Sequence, residues 1–356
     1  METGRKVRGI ILAGTYHWGE SSFETLLPRP LVPVALRPLI SYALRWLRDG
    51  GVSEATVCVN SASRPVRSYL GDGSHVAMSL DYLEDWTPRG AAGCARDAGL
   101  RAQADTFVVA DGTAVPAVDL KGLLEAHREA DAAVTIVVHR HESANGGDDP
   151  TNPAGIYVFN RRALDYVPAN SFQDIKENLI PRLYKAGEKV VTFEGYGVCP
   201  RVINADTYLA VNQWMIERMA DQPGFLEGYR VVGDSLVHPS VRIDSTARLV
   251  GPVLIGPSVH VRAGATIVGP TTIGVGSIID EGALVSRSVT WRRCVVGESA
   301  VVDRCLLADD ATVEAKTSLF SALRVPGRSL GQVFTGRKVR RPELPLPEPL
   351  PQRVGS

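Results

Sequence analysis

The 356-residue sequence predicts two folded domains, an α/β domain with a mostly parallel sheet followed by a left-handed parallel β-helix of hexapeptide repeats. Across residues 1–225, short β-rich segments alternate with amphipathic helical segments, a pattern typical of sheets covered by helices on both faces. Across residues 226–330, an aliphatic residue recurs at every sixth position, which neither an α-helix nor a lone strand produces. Residues 331–356 are basic and then proline-rich, so we expect a disordered tail without a core.

The elements of the α/β domain follow from local signals. Val7–Ala13 is predicted as the first strand because it is short and rich in β-formers. A helix is predicted over Pro38–Gly50, since proline favours the first turn and a glycine pair ends it. Three further apolar segments are predicted as buried strands: Ala55–Val59, Thr106–Ala110 and Ala133–Val138. Such a Rossmann-like sheet binds ligands at the carboxyl ends of its strands.

The repeat keeps one register over nine hexads and then changes it. The aliphatic positions of the first part are Val237, Ile243, Leu249, Ile255, Val261, Ile267, Ile273, Ile279 and Val285. The register slips by four near Ser286–Arg293, which predicts an inserted loop or a corner there. It is predicted to resume at Val289, Val295, Val301, Leu307 and Val313. Three hexads close one coil, and stacked coils form the core.

Charge and cysteine content narrow the classes of partner. Lysine plus arginine number 39, as do aspartate plus glutamate, so no net field would hold the chain on nucleic acid or a membrane surface. A small molecule or a protein is the expected partner. The five cysteines lack paired or metal-finger spacing, which predicts buried, reduced thiols. No signal peptide or membrane span is recognisable at the start, so a cytoplasmic protein is expected.

Five segments of the chain resemble those of one enzyme family. Residues 11–14 (Ile-Leu-Ala-Gly) and 27–34 (Leu-Pro-Arg-Pro-Leu-Val-Pro-Val) are similar to the opening signature of the sugar-1-phosphate nucleotidyltransferases. Residues 90–93 resemble the base-recognition turn of that family, residues 152–159 its sugar-contacting strand, and residues 174–181 a further family segment. With the repeat behind them, they resemble the mannose-1-phosphate guanylyltransferases and the glucose-1-phosphate adenylyl- or thymidylyltransferases. The resemblance implies a GT-A-type α/β domain.

The resemblance also implies site residues. Nucleotide contacts are expected at Leu12, Ala13, Gly14, Gly90 and Ala91. Sugar contacts are expected at Asn152, Ala154, Gly155 and Lys176. In active members a sugar phosphate oxygen attacks the α-phosphorus of a nucleoside triphosphate, so the site must neutralise phosphate charge and hold Mg²⁺. If this chain is active, Arg29 and Asp111 are the expected catalytic residues and Mg²⁺ the expected cofactor.

The chain departs from the family pattern where the chemistry is most demanding. The loop after the first strand lacks the family's glycines and arginine and reads Thr15-Tyr16-His17-Trp18-Gly19-Glu20-Ser21-Ser22-Phe23, with bulky and acidic residues that should hinder a triphosphate. Arg29 replaces the family's lysine. Thr113 and Arg201 align with the two metal-binding aspartates, and Asp111 is an imperfect substitute for the first.

Three functions remain open from the sequence. The chain is predicted first as a catalytically impaired or inactive member of the family, acting as a nucleotide-sugar-binding regulatory or scaffold subunit. The second candidate is an active NDP-sugar pyrophosphorylase with a divergent phosphate loop. The third is a β-helix acyltransferase, for which His238 and His260 are the histidines available in the repeat domain. A homo-oligomer, or an assembly with an active homologous subunit, is expected.

Overall fold

The computed structural model of the chain describes residues 6–14, 26–139, 152–194, 199–221 and 226–332. The predicted hindrance of the phosphate loop by Tyr16, Trp18 and Glu20 falls outside the described residues. So does the predicted tail beyond residue 332.

The α/β domain is built on one mixed sheet and a separate hairpin. The strands described in this domain are β1 (Val7–Leu12), β2 (Pro33–Val34), β3 (Arg37–Pro38), β4 (Glu54–Val59), β5 (Ser79–Glu84), β6 (Thr106–Asp111), β7 (Val134–His139), β8 (Asn152–Asn160) and β9 (Val190–Glu194). β2 and β3 pair as a separate hairpin, and the other seven lie in the order β5-β4-β1-β6-β8-β7-β9. β8 runs antiparallel to β6 and β7, while the remaining pairs are parallel. The predicted mostly parallel sheet is confirmed.

Helices cover both faces of this sheet. They are α1 (Ile40–Asp49), α2 (Arg64–Leu70), α3 (Gly90–Arg101), α4 (Leu120–Glu129) and α5 (Ile180–Lys185). A further helix, α6 (Ala205–Asp221), packs instead in a separate cluster with residues of the second domain. Apolar residues of α1, α2 and α4 pack in one core with the sheet, and those of α3 and α5 pack in a second core on the opposite face. The strands are therefore buried on both sides, which is why they read as continuous apolar segments.

The second domain is a parallel β-helix with three faces. Its strands are β10 (Arg230–Val232), β11 (Ser235–Val237), β12 (Arg242–Ile243), β13 (Arg248–Val250), β14 (Val253–Ile255), β15 (His260–Val261), β16 (Thr266–Val268), β17 (Thr271–Ile273), β18 (Ile278–Ile279), β19 (Leu284–Ser286), β20 (Val289–Thr290), β21 (Val295–Val296), β22 (Val301–Asp303), β23 (Leu306–Leu307), β24 (Thr312–Val313), β25 (Ser318–Phe320), β26 (Ala322–Val325) and β27 (Arg328–Gln332). The first face, β10-β11-β14-β17-β20-β23-β26-β27, ends in an antiparallel pair on each side. The other faces are β12-β15-β18-β21-β24 and β13-β16-β19-β22-β25. β27 extends two residues into the segment predicted as tail.

The predicted register of the second half of the repeat is wrong. Ile273 pairs with Thr290, Ile279 with Val296 and Val285 with Val302, so these residues, and not Val289, Val295 and Val301, continue the inward row. No loop is inserted. Each later coil is one residue shorter, because Arg287 and Arg304 adopt φ angles of 47° and 53° and close the corner more tightly. Leu307 and Val313 are inward, as predicted.

A shared core joins the two domains through α6. Tyr208 is fully buried, and its ring lies edge-to-face against Trp291 of the β-helix with centroids 6.5 Å apart. The indole Nε1 of Trp291 donates to the Tyr208 hydroxyl at 2.8 Å, and that hydroxyl donates to the Pro33 carbonyl. Leu254, Leu306 and further residues of the first β-helix face pack in the same cluster.

Two further predictions concern the chain as a whole. The five cysteines are free, four of them buried and Cys94 half-buried, as expected. Among the described residues, none of the helices combines the length and apolar character that a membrane span needs.

Candidate functional site

The predicted nucleotide-contacting residues Leu12, Ala13 and Gly14 lie at the carboxyl end of β1, next to the carboxyl end of β6. Leu12 is the register partner of Asp111, and its carbonyl accepts a hydrogen bond from Gly112 N at 2.9 Å. Ala13 is buried and donates its N–H to the Cys58 carbonyl at 2.8 Å, while Gly14 is exposed. Because β8 is antiparallel to β6, its first residues reach this edge as well. The structure therefore brings the predicted nucleotide and sugar segments to one side of the sheet.

The predicted base-recognition turn is the start of α3. Gly90 has a φ of +73°, and a methyl group there would collide with the Gln173 carbonyl. That carbonyl accepts from Ala92 N at 2.9 Å, and Gln173 N donates to the Arg89 carbonyl at 2.7 Å. Only a residue without a side chain allows this approach.

The segment after Gln173 carries the predicted sugar-phosphate lysine. Asp174 caps a short π-helical turn over Ile175–Leu179 and accepts from Lys176 N at 2.7 Å and Glu177 N at 3.0 Å. The Lys176 side chain is exposed. The predicted base and sugar-phosphate segments are thus adjacent, because Gln173 is bonded to the start of α3.

Gly155 lies in a β-bulge of β8 and faces the end of β6. The pairing of β8 with β7 shifts between Ile136 and Val138, and Gly155 has a φ of +77°. A methyl group at Gly155 would lie 3.2 Å from both Arg201 Nε and Asp111 Cβ. Ala154 beside it is buried. Asn152 begins the strand opposite His139.

The Asp111 carboxylate already has three donors. Its Oδ1 accepts from the Thr113 N–H at 2.9 Å and from the Thr113 hydroxyl at 2.7 Å. Its Oδ2 accepts from Nη2 of Arg201, and the two side chains form an ion pair. The predicted metal positions are therefore in contact, but one of them carries a positive charge. Both side chains are largely buried, with exposed fractions of 21% for Asp111 and 33% for Arg201.

Backbone pairing fixes Arg201 at this place. Arg201 forms an isolated antiparallel bridge with Ala114. On either side of it, Val115 N donates to the Pro200 carbonyl at 2.9 Å and Val202 N donates to the Thr113 carbonyl at 3.0 Å. The guanidinium consequently reaches Asp111 from a strand-like segment anchored on both sides.

Arg29 adds a second positive charge beside this pair. It begins the turn Arg29–Leu31 and is half-buried. Burial lowers the pKa of its guanidinium. The negative charge of Asp111 raises this pKa and the positive charge of Arg201 lowers it further, so both charges lie within interaction range of Arg29. Arginine remains protonated despite such a shift.

Tyr157 lies near these charges and was not predicted from the sequence. It is buried, and burial raises its pKa to about 12, with further effects from Arg201, Asp174 and Asp111. A regular strand places residues two apart on one face, but the bulge at Gly155 breaks that alternation, so no pattern in the sequence indicated Tyr157.

Both domains of the chain are similar to known proteins. Residues 23–146 match the nucleotidyl transferase model, and residues 231–339 match the model of the GMPPB C-terminal domain. A mannose-1-phosphate guanylyltransferase of Mycobacterium tuberculosis is 23% identical over 68% of this chain and 73% of its own length. A mannose-1-phosphate guanylyltransferase catalytic subunit beta of Drosophila melanogaster is 28% identical over 87% of this chain and 89% of its own length. The chain is similar to sugar-1-phosphate nucleotidyltransferases in both of its domains.

A third relative matches over a shorter span. A UTP–glucose-1-phosphate uridylyltransferase of Synechocystis is 26% identical over 45% of this chain and 51% of its own length. The relatives thus differ in the nucleotide and sugar that their names specify.

The metal ion of this nucleotidyltransferase family does not fit the residues present. A divalent cation at Asp111 would have to displace Arg201, and its second carboxylate ligand is replaced by that same arginine. Within the described ranges, no three histidine, cysteine, aspartate or glutamate side chains are grouped to hold a metal ion. What the site offers instead is two guanidinium groups, which bind phosphate oxygens in planar, paired geometry.

Proposed function

We propose that this nucleotidyltransferase homologue has impaired or no transferase activity and acts as a nucleotide-sugar-binding regulatory or scaffold subunit. The ion pair between Asp111 and Arg201 carries this proposal. Transfer requires the developing charge on the phosphates to be neutralised where the metal ion lies. Here that place holds a guanidinium bonded to the carboxylate that would bind the metal.

Displacing this guanidinium is unfavourable for two reasons. Asp111 would exchange a charge-assisted hydrogen bond for a metal contact while Arg201 stays nearby, because its backbone is paired with Ala114. A divalent cation would then lie close to Arg201 and Arg29, and like charges at short range in a partly buried site repel strongly. Both effects disfavour metal binding.

The binding elements support retention of a ligand. Gly90 and Gly155 both hold positive φ angles; an added methyl group would collide with the Gln173 carbonyl at Gly90 and would lie tightly against Arg201 and Asp111 at Gly155. Glycine adopts such angles without strain and is used where the backbone closely approaches a ligand or another segment. The adjacent arginines supply the positive charge that a diphosphate requires.

An active pyrophosphorylase is the second candidate, and one observation favours it. The Drosophila relative, aligned over 87% of this chain, is named a catalytic subunit. In this case Arg29 and Asp111 carry the reaction, and Arg201 must leave Asp111 before metal binds.

A pyrophosphate-release assay distinguishes the two candidates. The full chain is incubated with Mg²⁺, each of the four common NTPs and a panel of sugar-1-phosphates, with the mycobacterial relative as positive control. We expect no release above the rate of a protein-free blank. Turnover that disappears in Asp111→Asn would overturn the proposal and establish the second candidate.

The proposed subunit role is tested separately. Size-exclusion chromatography with light scattering gives the mass of the chain alone and after mixing with an active homologue from the same cell. We expect a homo-oligomer or a mixed assembly, and a changed turnover rate of the homologue within that assembly. A strict monomer that leaves the rate of the homologue unchanged would refute the role.

A further inference from the structure

We propose that this site binds the diphosphate of a nucleotide sugar directly through Arg201 and Arg29, without a divalent cation. This inference rests on the proposed nucleotide-sugar binding and specifies how that site recognises its ligand. Arg29 and Arg201 contribute two positive charges and Asp111 one negative charge, so the three side chains together carry one net positive charge.

A family site of two aspartates, one divalent cation and the lysine that Arg29 replaces also carries one net positive charge. The two guanidinium groups and Asp111 therefore offer a diphosphate the same net charge without a metal ion. Each guanidinium offers several N–H donors in a fixed plane, and such donors match pairs of phosphate oxygens. Arginine does not lose its proton in proteins, so this charge is permanent.

The ion pair with Asp111 uses only part of the Arg201 guanidinium. Nη2 is bonded to Asp111, and Nε is buried without a hydrogen-bond partner among the described residues. About a third of the side chain remains exposed. Asp111 thus holds the guanidinium through Nη2, so an anion would contact the exposed part of the side chain, and the buried Nε would donate only after the guanidinium shifts.

The location fits a diphosphate. Arg201 lies against Gly155 of the predicted sugar segment. Asp111, which it contacts, is the register partner of Leu12 in the predicted nucleotide segment. A diphosphate joins a nucleoside to a sugar, so a positive charge between these two segments lies where the diphosphate would be.

The test measures nucleotide-sugar binding with and without metal. GDP-mannose, ADP-glucose, UDP-glucose and dTDP-glucose are titrated into the full chain by calorimetry, once in Mg²⁺ and once in EDTA. We expect at least one of them to bind with the same affinity in both buffers. Arg201→Ala should weaken that binding on the order of 10- to 100-fold, the loss of charge-assisted hydrogen bonds.

Charge reversal gives an independent readout. Arg201→Asp places two carboxylates together, so it should gain binding of Mn²⁺, visible as loss of the free-ion signal in electron paramagnetic resonance. The matched control is Arg262→Asp, which also sets an aspartate against an aspartate because Arg262 pairs with Asp280 on the β-helix at 3.0 Å. The control should bind the nucleotide sugar like the wild type.

The outcomes separate this inference from the proposed function. Binding that EDTA abolishes, or that Arg201→Ala leaves unchanged, refutes direct recognition by the guanidinium while the non-catalytic role stands. Binding in EDTA together with pyrophosphate release in Mg²⁺ refutes the non-catalytic role alone. Absence of binding in both buffers refutes this inference and the nucleotide-sugar binding in the proposed function, while the non-catalytic role stands.

Discussion

Tyr208→Phe should destabilise the whole chain, because the lost hydroxyl lies in the core shared by the two domains. This hydroxyl accepts from Trp291 Nε1 and donates to the Pro33 carbonyl, and both partners are then left with an unmet hydrogen bond. Trp291 is only 5% exposed, so water does not replace the lost acceptor. Each such buried group costs about 1–3 kcal/mol, so the two together give a loss of roughly 2–6 kcal/mol in the free energy of unfolding.

A double-mutant cycle isolates the hydrogen bond between Trp291 and Tyr208. Trp291→Phe alone removes the indole N–H and some volume, a cost of about 1–3 kcal/mol. In the double variant no indole N–H is left unbonded, so the combined loss should be smaller than the sum of the single losses by about 1–2 kcal/mol.

Urea titration followed by far-ultraviolet circular dichroism measures these free energies, since the fluorescence of Trp291 itself changes in the cycle. We expect one transition that shifts as a whole in each variant. Losses that add to within about 0.5 kcal/mol would refute the hydrogen-bond argument. A Tyr208→Phe variant in which only one of two transitions shifts would refute the shared core.

Three further predictions follow from other contacts. Thr290→Val restores an aliphatic residue to the repeat, yet it should lower the free energy of unfolding by about 1–3 kcal/mol, because Thr290 Oγ1 accepts from the buried Gly274 N at 2.9 Å; a more stable variant in urea would contradict this. Gly155→Ala forces a side chain into a φ of +77°, so it should cost about 1–2 kcal/mol and weaken nucleotide-sugar binding, measured by thermal denaturation and calorimetry; a variant that binds like the wild type would show that the bulge does not shape the site. Burial raises the pKa of Cys294 from 9.0 to about 12, so the stability that its protonated thiol contributes is complete below pH 9.0 and is lost as the pH rises towards 12. In urea titrations above pH 9.0, the free energy of unfolding should therefore fall less steeply with pH in Cys294→Ala than in the wild type. An equally steep fall in both proteins would contradict this role of Cys294.

The fold was predictable in those segments where the hydrophobic pattern of the sequence fits only one arrangement. The sheet strands are continuous apolar segments, and the first hexads have a single aliphatic residue in register. The later hexads contain adjacent valines at 295–296 and 301–302, so two registers are equally aliphatic. The choice between them depends on corner geometry at Arg287 and Arg304, which side-chain hydrophobicity does not encode.

The sequence predicted which residues form the candidate site, but not how these residues contact one another. Alignment with the family pattern already placed Arg201 at a metal position and Asp111 near the other. That the two form an ion pair depends on the backbone pairing of Arg201 with Ala114, a contact between segments far apart in the chain. Tyr157 was missed because an aromatic residue in a buried strand looks like an ordinary core residue until its neighbours are known.

The helix α6 has a consequence for how the two halves of the molecule can influence each other. It starts four residues after Arg201, and its 17 residues span about 25 Å along the β-helix face. A tilt of about 5° at its first turn therefore displaces its far end by about 2 Å, more than the close-packed cluster that it shares with the β-helix absorbs without repacking. A ligand that shifted Arg201 would act on the start of α6, four residues away, and α6 would transmit that movement to the first β-helix face.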